Sequence, residues 1–135
     1  ARVSLAYESP VRGIATSGWR GRSQSLGIAD AVTVLAGSAA IADAAATLIA
    51  NDVNVDYPGI LKRPASEVKN ESDLGMLPVT VDVPPLPFDQ ISEALKRGAQ
   101  TAGNFIRTGK IEAAYLSLQK QTLVVENNLK KESNE

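Results

Sequence analysis

Apolar and polar positions first alternate with a period of two: Val3, Leu5 and Tyr7 interleave with Arg2, Ser4, Ala6 and Glu8. That is the spacing of a half-buried strand, and Ser9-Pro10 closes it with turn chemistry. Residues 11–17 read as a second strand. A β-branched run, "AVTVLA" at 31–36, reads as a third, buried one. Ser38 then stands where an N-cap belongs, before an alanine-rich helix expected to run through Ile49 or Ala50. Residues 51–76 hold no sustained period and are expected to be a long loop with a short helix near 64–69.

The pattern sharpens again at 79–83, "VTVDV", a strand stopped by Pro84-Pro85-Leu86-Pro87. Phe88, Ile91, Ala94, Leu95, Ala99, Ala102, Phe105 and Ile106 recur at steps of three and four. This predicts an amphipathic helix over 89–107, with Gly109 as its C-terminal stop. Residues 111–118 and 122–126 predict a hairpin, and the polar tail 127–135 is expected to be mobile. The order β-β-β-α, loop, β-α-β-β predicts one α+β domain over residues 1–126. Its sheet is expected to be largely antiparallel, with two main helices on one face.

Composition narrows the chemistry more than the fold. Fourteen basic and fifteen acidic residues among 135 give a net charge of -1, so no global field favours nucleic acid or an anionic membrane. Cysteine and histidine are both absent. That excludes disulfides, thiolate zinc sites, cysteine nucleophiles and the Ser-His-Asp triad, and leaves carboxylate, hydroxyl, lysine, arginine and backbone. Such groups suit Mg²⁺ or Ca²⁺ better than zinc. The weakly polar run 29–50 is interrupted by Asp30, Thr33, Ser38, Asp43 and Thr47, so it predicts no membrane span. The cytoplasm is the expected compartment, with a mature product that has lost a targeting segment as the alternative.

Two constellations carry candidate chemistry. The loop "TSGWRGRS" offers hydroxyls on Thr16, Ser17 and Ser23, backbone N–H groups at Gly18 and Gly21, and guanidinium groups on Arg20 and Arg22. These are the parts of an anion cradle, and equally of a surface turn. Trp19 stacks on a ligand ring or fills a local apolar gap. In "SAAIADAAATLIA", Asp43 and Thr47 stand four apart on one helix face, beside small residues. They suit a divalent cation, or else Thr47 bonds a helix carbonyl and Asp43 meets an arginine or a backbone N–H. Asp30 faces the loop arginines either as a site residue or as their structural partner. Asp73 in "ESDLGM" orders the long loop or makes a turn; Lys96 and Arg97 read as a solvated face.

The segments "GIATSG" and "ADAVTVLAGSAAIADAAATLIA" resemble the Ala-Thr-Ser-Gly and the strand-to-helix Ala-Asp-Ala-x-x-Thr of the ApbE-like flavin transferases. "GWRGRS", "SDLG" and "VTVDV" are similar to an uncharacterised bacterial and archaeal family related to them. The resemblance implies a T-fold-like domain corresponding to the C-terminal half of those proteins. It also implies a site for FAD or FMN and a Mg²⁺ ion held by Asp43 and Thr47. The anion would be cradled by Thr16, Ser17, Gly18, Arg20 and Arg22. The histidine that ApbE proteins carry after Thr-Ser-Gly is missing here, so binding of a flavin or other phosphorylated ligand is expected, not FMN transfer of the known kind. The alternatives are a non-catalytic assembly subunit and a relative acting in sulfur assimilation to homocysteine. A homo-oligomer or a companion chain carrying the N-terminal half is the expected partner.

Overall fold

The computed structural model describes residues 11–21, 24–69 and 74–127. They form an α+β fold: β1 (Gly13–Ser17), β2 (Ala31–Ala36), α1 (Ala39–Asp52), β3 (Leu61–Pro64), α2 (Ala65–Val68), β4 (Pro78–Asp82), α3 (Phe88–Arg107), β5 (Ile111–Leu118) and β6 (Gln121–Glu126). Four strands make one antiparallel sheet in the order β1-β2-β5-β6, and β3 and β4 make a separate antiparallel ribbon. Helix α1 packs on β1 and β2, α3 packs on β5 and β6, and the two helices touch each other.

Strand alternation decides which face the helices cover. Val32, Val34 and Ala36 of β2 and Ala114, Leu116 and Leu118 of β5 enter one core with Ala42, Ala46, Ile49, Ala94, Leu95 and Ala102 of the helices. On the other face Leu35 and Ala113 gather with Val11 and Tyr115. A buried leucine such as Leu116 contributes about 1.5–3 kcal/mol by leaving water.

The small residues of α1 have a packing function. Ala42, Ala45, Ala46 and Ala50 are buried with Ile49, while Asp43 and Ala44 are exposed. Gly98 of α3 is buried at the crossing, where a Cβ would run into Val53 Cγ2 and approach Leu116 Cδ2. Close approach of α1 to its neighbours is therefore what the alanines provide. Ser38 caps α1 as expected, its Oγ accepting from Ile41 N at 3.1 Å.

Several elements depart from their expected limits. The third strand, the short helix and the hairpin fall in the expected places, and the 79–83 strand sits one residue earlier. β3, inside the segment expected to be irregular, is held by its pairing with β4 and shows no internal period. Phe88, read as a core position, is 67% exposed because Pro87 sets the helix start and leaves it on the outer side of the first turn. The expected strand at residues 3–7 and the tail beyond Asn127 lie outside the described residues. Among the described residues, no helix is long and apolar enough to cross a membrane.

Candidate functional site

The chain leaves β1 under a close constraint. A Cβ at Gly18 would fall on the Asp30 carbonyl oxygen, so glycine lets the strand exit press against the residues that lead into β2. Trp19 N donates to Ala29 O at 3.1 Å, which fixes the next residue. Arg20 then lies over the Trp19 ring, its Cζ 5.1 Å from the ring centroid. Its Nε sits 3.2 Å from Asp30 Oδ1 while its side chain stays 65% exposed. The Trp19 indole N–H is buried and has no acceptor among the described residues.

The hairpin tip between β5 and β6 reaches the same place. Gln119 and Lys120 have φ of 44° and 71°, the left-handed pair that a two-residue turn requires and that non-glycine residues rarely adopt. The Gln119 side chain holds that turn, accepting from Leu86 N and donating to Pro84 O, each at 2.8 Å. Asp30 Oδ2 accepts from Gln119 N at 2.8 Å. Arg20, Asp30, Val83, Pro85, Gln119 and Lys120 line one open cleft of about 690 Å³. A strained turn held by three hydrogen bonds and presenting a lysine to a cleft is the kind of feature that marks a functional site.

Of the residues singled out in the sequence, the structure brings only part together. Arg20 and Asp30 line the cleft, while Gly18 packs against Asp30 and Trp19 lies beneath Arg20. Thr16 and Ser17 point to opposite faces of β1: Thr16 Oγ1 lies 2.9 Å from Thr33 Oγ1, and Ser17 is buried. Neither lines the cleft. Arg22, Ser23 and Asp73 lie outside the described residues. Asp43 is exposed, and the Thr47 hydroxyl donates to the Asp43 backbone oxygen at 3.0 Å. Both belong to α1, which starts beyond the far end of β2 from Asp30, and neither lines the cleft. Among the described residues, no three acidic side chains cluster as a metal site would require. On the expected solvated face, Lys96 is exposed, and Arg97 pairs with Glu93 and donates to Asn54 O.

The cleft residues absent from the sequence reading are Val83, Pro85, Gln119 and Lys120. Their only linear signals were a proline run and a hairpin tip without glycine. Lys62 was missed as well. Its Nζ donates to Leu26 O at 2.7 Å and to Asn54 Oδ1 at 3.4 Å, tying the β3–β4 ribbon to the segment before β2. Burial lowers its pKa, with Asp56 pulling the other way. Thr80 makes the parallel tie, its Oγ1 donating to Gly27 O at 2.6 Å.

A family model described as AbpE bacteria matches residues 1–126, so the chain belongs to that family. Comparison with curated proteins and with solved structures gave no match. The family result corrects the resemblance drawn from "GIATSG" and the alanine-rich helix: the family matched is not one of ApbE flavin transferases. Short small-residue segments such as these recur wherever a helix must lie close on a sheet, and α1 uses its alanines in that way.

Proposed function

We propose that this AbpE bacteria chain is a binding domain for a small phosphorylated ligand, held at the cleft between the Arg20 loop and the β5–β6 hairpin tip. The observation that carries this is the convergence of Arg20, from the loop after β1, and Lys120, from the turn between β5 and β6, on one open cleft. Arginine offers fixed paired donors to phosphate oxygens, and lysine offers a mobile point charge. Asp43 and Thr47 do not border this cleft, so the proposed binding needs no Mg²⁺. FAD and FMN enter the proposal only as members of the phosphate-ester class.

Isothermal calorimetry with inorganic phosphate, ADP and FMN tests it. ADP and FMN are expected to bind with an affinity that falls as salt rises and is the same in Mg²⁺ and in EDTA. Arg20→Ala and Lys120→Ala should each weaken both ligands, and Asp43→Ala should not. Absence of heat with all three ligands, or binding by the Arg20 and Lys120 variants as tight as that of the wild type, would contradict the proposal.

A second reading, an assembly subunit, is favoured by β6, an outer strand of the sheet among the described residues. It exposes Leu123 and Val124 at 37% and 47%, with no proline or lysine inside the strand to discourage pairing. In this reading the chain forms a homo-oligomer through β6. Light scattering would then give a multiple of the chain mass that Val124→Lys reduces to one chain; a wild-type monomer would dismiss it.

A further inference from the structure

Which phosphorylated ligand the cleft takes can be narrowed from the groups that remain available in it, granted the binding proposed above. We infer that it selects a phosphomonoester carrying a flat ring, and that it recognises the ring by its face and not by its edge.

A guanidinium is planar and has two faces. Arg20 Cζ lies over the Trp19 ring and the side chain remains 65% exposed, so the guanidinium is accessible to a ligand in the cleft that it lines. A ring laid there completes a stack of indole, guanidinium and ligand, and Val83 and Pro85 supply apolar contact alongside.

The groups that would read a ring edge are already engaged. Both ends of the Gln119 amide are bound to Pro84 and Leu86 backbone. Of the Asp30 carboxylate, Oδ2 accepts from Gln119 N and Oδ1 faces Arg20 Nε. Recognition of one base over another rests on fixed donors and acceptors at the ring edge; here the Gln119 amide is committed to backbone, Asp30 Oδ1 faces Arg20, and the donors left in the cleft, on Arg20 and Lys120, are the cations assigned to the phosphate. Charge limits the phosphate count: among the described lining residues, Arg20 and Lys120 oppose Asp30, which leaves a single net positive charge. One phosphate suits that balance. A chain of three adds negative charge that no further cation among the described lining residues meets.

The lone tryptophan beneath Arg20 reports the titration by its own fluorescence. Ribose 5-phosphate, phenyl phosphate, AMP, GMP, CMP, UMP and ATP are titrated into the full chain and into Arg20→Lys, which keeps the charge but lacks the flat face. Calorimetry repeats any titration that leaves the fluorescence unchanged, so that a silent probe is not read as absence of binding. The wild type should bind phenyl phosphate and the four monophosphates about tenfold more tightly than ribose 5-phosphate, since stacking on a flat face is tolerant of base identity. The four should agree within about fivefold, and ATP should gain nothing over AMP. In Arg20→Lys the ring advantage should vanish while ribose 5-phosphate binding persists. If ribose 5-phosphate binds but the ring adds nothing, if one base is favoured by far more than the others, or if Arg20→Lys keeps the ring advantage, this inference falls and the phosphate site stands. If no phosphate compound binds the wild type by either method, both fall together.

Discussion

At Lys120 the backbone holds a left-handed conformation, with φ of 71°, that a side chain makes costly. Lys120→Gly removes that cost together with the ammonium. It should raise stability by about 1 kcal/mol while weakening phosphate binding, and urea unfolding beside calorimetry checks both halves. A stability loss with unchanged binding would mean that the lysine serves the turn and not the ligand. Ser38 is the opposite case, a residue whose only visible task is structural. Ser38→Ala should lower the unfolding free energy by about 1 kcal/mol and leave binding alone. Lys62 gives a pH dependence. Burial sets its folded pKa below the ordinary 10.5, against the pull of Asp56, so below 10.5 there is a window in which the unfolded chain holds more protons than the folded one. Stability from this group therefore rises with pH through that window. Compared with Lys62→Met, the wild type should gain relative stability as pH climbs toward 10.5; a constant difference would remove the burial argument.

Among the elements, the contact of α1 with α3 is sensitive to size. Gly98→Ala places a methyl against Val53 Cγ2 and Leu116 Cδ2. The expected loss is about 1–3 kcal/mol by urea unfolding, with the far-UV spectrum of the folded state unchanged. A neutral result would mean that the helices have room to separate. The same contact explains what could be read from the linear chain. Helix α3 was legible because its buried positions Ile91, Ala94, Leu95 and Ala102 keep helical spacing against a polar outer face. The β5–β6 hairpin was legible because it closes locally. Strand β3 was not, since it takes its form from β4, a partner some fifteen residues away, and half of its four residues are exposed. The alanines of α1 have a packing task that their spacing alone did not reveal: Ala42, Ala45, Ala46 and Ala50 are buried against its neighbours.

Across the described residues, the helices close one face of the sheet, β1 and β6 are its outer strands, and the cleft forms where the loop after β1 meets the tip of the β5–β6 hairpin. That meeting was only half legible. Arg20 announced itself within a glycine- and hydroxyl-rich loop, whereas Lys120 lies a hundred residues further along and reaches the cleft only because β5 pairs with β2. Asp43 and Thr47 were legible as a pair, but the sequence did not reveal that their helix starts from the other end of β2. The most direct measurement of the central claim is backbone and indole chemical-shift mapping on ¹⁵N-labelled protein during addition of phenyl phosphate. Shifts concentrated at Trp19, Arg20, Asp30, Gln119 and Lys120 are the expected result. Shifts centred on Asp43 and Thr47, or none at saturating ligand, would contradict the account.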